Sequence, residues 1–298
     1  MPSESGTPPA EPSESGTLPA EPSASGALPR RGPGVRELGL PLPPARMPAL
    51  RAGRPLKRWL YAGVYAPEVM LCVGDARVAG LPQRWWAVAL PDGRLFERTT
   101  QRRGGVRLSF ERVQVRSGDV SIELELGPGG PAPVEVVSPH ERSYIWTAKR
   151  APVQVRGHVV AGGERFALDS EHGFIDHSAG YHARHTSWRW SAGVGRSAEG
   201  RSVAWNLVEG VHDALLSSER TVWVDGVARE IAPQSFAADL AGVGGLSFRA
   251  WASREHSANR GLLRTRYRQP FGEFKGRLPG GVELAEGFGV MEEHEVWW

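Results

Sequence analysis

Hydrophobic and polar positions alternate along this chain with a period of two. In VSIELEL, Val120, Ile122, Leu124 and Leu126 fall on one side of an extended chain, and Ser121, Glu123 and Glu125 fall on the other. Successive side chains of a strand point to opposite faces, so this is the pattern of an antiparallel strand with one packed and one wet side. Short runs of β-branched and aromatic residues recur from Trp59 onward: RWLYAGVYA, EVMLCVGDARV, RWWAVAL, VRLSFERVQVR, VEVVS and YIWTAK. Turn signals separate them, among them Pro91-Asp92-Gly93, Ser117-Gly118-Asp119 and the Gly127 to Gly130 stretch. VRGHVV and RFALD flank Ala161-Gly162-Gly163 and predict a hairpin. SWRWSAGVG, SVAWNLVEGVHD, TVWVDG with its Asp225-Gly226 turn, LSFRAWASR, LLRTRYRQPFGEFKGRL and VELAEGFGVMEEHEVWW continue the series. Helix-period patterns of about twelve or more residues are missing, although Ile231 to Leu240 fits a short helix. Strands at this spacing predict an all-β sandwich or barrel.

The first fifty residues break the pattern. PSESGTPPAE (Pro2 to Glu11) is followed by PSESGTLPAE (Pro12 to Glu21) and the decayed copy PSASGALPRR (Pro22 to Arg31). Such a segment holds too little apolar surface to offset the entropy of ordering it. Residues 1–50 are therefore expected to be a disordered repeat tail and linker, 51–150 a first β-rich half, and 151–298 a second.

Composition narrows the partners. The chain has 298 residues and is 40% hydrophobic, enough for a real core. A sequence pI of about 9.3 invites a nucleic-acid reading. The basic residues are almost all arginine, with Lys57, Lys149 and Lys275 the only lysines, and they are scattered, so no specific nucleic-acid partner is expected. Basic residues collect from Arg30 to Arg58, which reads as a solvated linker. The single cysteine, Cys72, excludes an internal disulfide and lies between Leu71 and Val73 as a core residue would. No apolar run approaches the roughly 18 residues of a membrane span. The amino terminus lacks the basic start and apolar core of a signal peptide, and a cytoplasmic location is expected.

Chemistry is densest from Ser170 to Gly195, SEHGFIDHSAGYHARHTSWRWSAGVG. His172, His177, His182 and His185, four of the nine histidines, lie here beside Asp169, Glu171, Asp176 and Arg184. Parity places Arg184, Thr186, Trp188, Trp190, Ala192 and Val194 on one face, expected to be inside, and His185, Ser187, Arg189 and Ser191 on the other. Gly180 breaks that parity before it reaches His182. Dinucleotide fingerprints, phosphate loops, His-Glu-x-x-His helices and Gly-x-Ser-x-Gly elbows are absent from the sequence, and no cofactor is expected.

Several motifs carry a family resemblance. GxVxxxGxxxxLD from Gly157 to Asp169, DHSAGYHARH running into SWRWSAG, VAWNLVEGVHD, ERTVWVDG, YRQPFG and the terminal GFGVMEEHEVWW resemble the bacterial domain-of-unknown-function family numbered 2804, over all but the tail. Membership implies no reaction. More distantly, a hairpin leading to Asp176-His177, Gly180 and then Trp188 and Trp190 is similar to the second barrel of the carotenoid-hydratase, tocopherol-cyclase and survival-factor group. This chain departs from that group in Ser178-Ala179 before the glycine and in its extra His182 and His185. The resemblance implies two lipocalin-like antiparallel β-barrel or half-barrel domains packed together.

A barrel of that kind holds one hydrophobic small molecule of lipid, prenyl or polyene type. A carboxylic acid kept protonated by apolar surroundings protonates a carbon–carbon double bond, and indole faces stabilise the resulting cation until water or ring closure captures it. On that expectation Asp176 or Glu209 is the acid, and His177 or His182 tunes it or activates water. Trp188, Trp190 and Trp205 line the cavity, with Arg184 and Asn206 as polar substrate contacts. Glu209 shares a strand face with Val203, Trp205 and Leu207. Two alternatives stay open: a carrier or sensor without chemistry, in which Asp176 and His177 cap a turn and His182 and Arg184 satisfy carbonyls or pair, and a metal site built from His177, His182 and His185 with Asp176 or Glu171.

Overall fold

The computed structural model describes residues 28–101, 104–260 and 263–298. They form an all-β protein of two large antiparallel sheets. In the 11-stranded first sheet Leu95–Thr100, Leu81–Ala89, Met70–Val78, Lys57–Tyr65, Glu164–Gly180, Ser143–Ala161, Val120–Leu126, Arg112–Ser117 and Val106–Leu108 lie side by side in that order. Val134–His140 pairs with the first part of Ser143–Ala161, and Arg30–Arg31 pairs with Val134–His140. The 8-stranded second sheet runs Val227–Glu230, Thr221–Val224, Ser202–Glu209, His185–Ser197, Glu283–Trp297, Leu263–Arg277, Leu246–Arg260 and Gly242–Val243.

The expected hairpin at Ala161 is the hinge of the first sheet. Ala161 pairs with Glu164 across Gly162 and Gly163, whose φ values of 59° and 82° are those of a two-residue turn that only glycine enters without cost. Both long strands that leave it are shared between two surroundings. Register shifts between Arg150 and Val155 divide Ser143–Ala161, so its first part pairs with Val134–His140 and its last part with Val120–Leu126.

Period-two alternation explains the layers. Ala62, Val64, Leu71, Val73 and Val88 join Val113, Ile122, Leu124 and Val159 in one apolar core, so both wings of the first sheet wrap the same interior. The alternate residues Tyr61, Tyr65, Met70, Cys72 and Ala87 face the second sheet and pack with Trp190, Ala192, Val194, Trp251, Phe271 and Val290. Such strands are buried on both sides, which is why RWLYAGVYA and EVMLCVGDARV read as nearly continuous apolar runs. The second sheet has its own interior of Trp205, Leu207, Val222, Phe274 and Met291.

Two expectations change. Most of the decapeptide repeat lies outside the described residues. From Leu28 to Leu50, however, the chain packs onto the first sheet: a 3-10 helix spans Gly32–Leu38, and Val35, Leu42 and Met47 join Val137, Tyr144, Trp146 and Tyr181 in a further core. Its apolar residues are sparse, yet prolines between them already restrict the unfolded chain, so few contacts suffice to order it. Ile231 to Leu240 is not a helix; it crosses the second sheet with a single bridge from Phe236 to Val243. Phe236 and Leu240 are spaced as in a helix because both drop into that sheet's interior, and Pro233 removes a helical donor. Among the described residues no helix is long and apolar enough to cross a membrane.

Candidate functional site

The seam between the sheets carries the chemistry. On the first sheet, register brings Tyr61, Asp176 and Lys149 into one row across three strands, and Trp59, Ser178 and Thr147 into the next. Lys149 Nζ lies 2.8 Å from Asp176 Oδ2 and 3.6 Å from Glu219 Oε2, with all three residues buried. Asp176 also accepts hydrogen bonds from Trp59 Nε1 (3.2 Å), Ser178 Oγ (2.8 Å) and Thr147 Oγ1 (3.4 Å). Burial lowers the Lys149 pKa, but Asp176 and Glu219 outweigh it and the net shift is upward. Burial pushes the Glu219 carboxyl upward against the pull of Lys149.

The facing surface of the second sheet completes the cluster. Trp190 stands opposite Glu292 in the register, and its ring lies 5.7 Å from Lys149 Nζ. Trp190 Nε1 donates to Asn206 Oδ1 at 2.7 Å, and Asn206 Nδ2 donates to the Glu219 carbonyl at 2.9 Å. Glu292 Oε1 accepts from Trp188 Nε1 (2.8 Å), while its Oε2 accepts from Tyr267 OH (3.1 Å) and Gln269 Nε2 (2.9 Å). Gln269 also reaches the Tyr61 hydroxyl at 3.4 Å, and Tyr61 and Tyr65 share a hydrogen bond of 3.1 Å. Burial raises the Glu292 pKa to about 7 despite the opposing bonds from Trp188 and Tyr267, and the charge of Asp176 raises it further. Three donors surround a carboxyl that still holds a proton near neutrality.

The expected site residues divide into separate places. Asp176, Trp188, Trp190 and Asn206 meet in the seam. His177, the next residue along the strand from Asp176, points to the other side, edge-on to Trp146 and Phe110. There it lines a cleft of about 200 Å³ with Arg58, Trp59, Leu60, Asp75 and Leu108. Burial holds its pKa low. His182 is buried beyond the strand end, beside Trp59, His140 and Trp298. Trp205 belongs to the second sheet's own interior, on the face away from Asp176, where its indole donates to Ser191. Glu209, on that same strand, ends in solvent with 54% of its side chain exposed, 3.9 Å from Arg189. Arg184 is exposed and donates to the Trp298 carbonyl. His185 is also exposed, stacked on Trp297 and bonded to Glu295. Among the described residues no three His, Cys, Asp or Glu side chains converge as metal ligands.

Sequence reasoning missed Lys149, Glu219 and Glu292. For Glu292 a signal existed: Val290, Glu292 and Val296 share a parity, and a carboxylate in line with two buried valines is a candidate for burial. Lys149 and Glu219 lie in segments whose partners are far away in sequence, and nothing local marks them.

The chain is thus an all-β protein of two packed antiparallel sheets with a buried acid–base cluster in their seam. It belongs to the family described as domain of unknown function DUF2804, whose model matches residues 81–298. A comparison with curated proteins finds no match. Among solved structures it is similar to an AttH-type protein from Nitrosomonas europaea, at 13% identity over 85% of this chain and 98% of that one, with a TM-score of 0.48. Kievitone hydratase from Nectria haematococca is similar at 8% identity over 81% and 88% of the two chains, with a TM-score of 0.42. CghA is similar at 13% identity over 87% and 95%, with a TM-score of 0.40.

Proposed function

We propose that the protein binds an apolar small molecule against the seam and carries out acid–base chemistry on it, with Glu292 as the proton donor. The observation that supports this reading is the Glu292 carboxyl, buried, with its pKa raised to about 7 while Trp188, Tyr267 and Gln269 already donate to it. A general acid works best with a pKa near the operating pH. Buried ionisable groups are costly, and apolar residues would fill the seam at least as stably, so a concentration of them is a mark of function.

In the step proposed, Glu292 transfers its proton to a carbon–carbon double bond. The cation forms against the faces of Trp188 and Trp190, and water or an internal nucleophile captures it. The carboxylate left behind is stabilised by its three donors, and the proton released on capture returns to it. Asp176, held by Lys149, Ser178, Thr147 and Trp59, is a fixed counter-charge, and its role is to set the field of the seam. Trp59 and Trp188, the half-buried aromatic members of the cluster, mark its accessible edge.

The test begins with full-length protein from its own host, native mass spectrometry, and denaturing extraction of any released compound. That compound, returned to the protein in D2O, should acquire deuterium on carbon with wild type and not with Glu292→Gln, which should still bind it. Binding without deuterium uptake by wild type would establish the second reading, a carrier. That reading draws support from the cleft beside His177, which Glu292 does not line.

A further inference from the structure

Beyond Trp59 the structure holds a second buried polar cluster, made of Lys57, His182 and His140 beneath Trp298. Lys57 is 1% exposed and His182 4% exposed. The Lys57 ammonium donates to the His182 carbonyl at 3.3 Å and lies 4.7 Å from the centre of the Trp298 ring. Among the described residues no carboxylate lies within ion-pair distance of it, whereas Lys149, the other buried lysine, has two. The His182 and His140 rings meet edge-on at 5.6 Å. His182 Nδ1 and His140 Nε2 are buried and have no hydrogen-bond partner.

A buried ammonium without a counter-ion and two imidazole nitrogens without partners are each costly alone. One bound anion would satisfy the ammonium and whichever of the two nitrogens carries its ring's proton. Burial, with Arg54 nearby, lowers the Lys57 pKa to about 8, so the amine still carries its charge at neutral pH. Burial lowers His140 to about 4 and His182 well below its usual value, so neither ring adds a second charge. One positive charge matches a singly charged anion, and a carboxylate offers the oxygens that an ammonium and imidazole N–H groups require. Trp59 connects this pocket to the seam: its ring lies 5.3 Å from His182 while its Nε1 donates to Asp176.

We infer that Lys57, His182 and His140 form an anion pocket that holds the carboxylate of the molecule bound in the seam, which is therefore an apolar carboxylic acid. The pocket stands on its own geometry; the identity of its occupant as the seam's ligand rests on the function proposed above. Trp59 separates head from body, so the carboxylate sits on the Lys57 side and the apolar part along Trp188 and Trp190.

The test uses the full chain with labelled histidine and tryptophan, followed by NMR during two titrations at constant ionic strength in chloride. Acetate should move the His182 and His140 ring signals saturably and leave exposed His185 unmoved; 1-decanol should move the indole signals of Trp188 and Trp190. In Lys57→Met the acetate response should weaken at least tenfold while the decanol response persists. His140→Gln, at a half-buried position, should weaken acetate several-fold and keeps the test valid should Lys57→Met fail to fold. Decanol binding with no acetate response at His182, or an acetate response indifferent to both substitutions, overturns the anion pocket and leaves the seam intact. An acetate response with no effect of decanol supports the pocket and overturns the apolar seam.

Discussion

Lys149 Nζ and Asp176 Oδ2 stand 2.8 Å apart at directly paired positions of neighbouring strands, with 5% and 11% of their side chains exposed. The pair is buried, and Glu219 shares the lysine. Removing the cation should therefore cost more than the pair itself contributes, because it strands buried carboxylates. Lys149→Met is expected to destabilise the fold by about 3–5 kcal/mol, and Lys149→Met combined with Asp176→Asn by clearly less. Urea unfolding of the two variants measures both, and a double variant no more stable than Lys149→Met would contradict the stranded Asp176 carboxylate as the source of the loss.

Glu292 makes stability depend on pH. Its folded pKa, about 7, lies above the ordinary value of 4.5, so between these values the folded protein binds more protons than the unfolded chain. The contribution is fully present below about pH 4.5 and is lost as pH rises through 7. At 1.36 kcal/mol for each pH unit the loss is roughly 3 kcal/mol. His140 and His294, lowered by burial to about 4 and 3, act in the opposite sense: their contribution is present above the unfolded value of 6.5 and is lost as pH falls. Glu292→Gln should remove only the first effect. The stability difference between variant and wild type should then grow in favour of the variant from pH 4.5 to 7 and level off beyond; a difference independent of pH would contradict the raised pKa.

Gly193 lies under the ring of Trp205, its direct cross-strand partner, and a methyl group there would fall within the ring. Gly74 and Trp85 repeat the arrangement in the first sheet. Trp205 is fully buried and cannot swing aside without disturbing Phe274. Gly193→Ala should cost about 1–3 kcal/mol or more and alter the near-UV signal of the tryptophans, whereas Gly200→Ala, with open space around it but a positive φ of 78°, should cost about 1 kcal/mol and leave that signal unchanged.

Leu42 tests the segment that composition marks as a tail. It is 3% exposed against Tyr144, Trp146 and Tyr181 and their neighbours, so Leu42→Ala should lower stability by about 2–4 kcal/mol. Calorimetry decides the matter, since the same change in an unpacked linker has no effect on Tm.

Strand identity was legible because it rests on local alternation. VSIELEL, TVWVDG and the Gly162-Gly163 hairpin form the expected elements, VSIELEL with the expected buried side, and Trp190, Ala192 and Val194 face inward as their parity requires. Parity says which residues share a face, and no more. Trp205, Leu207 and Glu209 do share one, but that face belongs to the second sheet's own interior and its exposed end, while Asn206 on the alternate face reaches the seam.

What the sequence determined by itself was the all-β class, the hairpins and which residues share a strand face, since all of these follow from a two-residue period and from glycine's freedom at positive φ. What only the tertiary structure decided was which faces meet. Lys149 and Asp176 from one hairpin, Glu219 from the loop before Thr221–Val224, and Glu292 from the last strand become a cluster when two sheets, each apolar on both sides, close on one another. The Glu292 pKa is a property of that closure, because the burial that raises it is supplied by residues from both sheets.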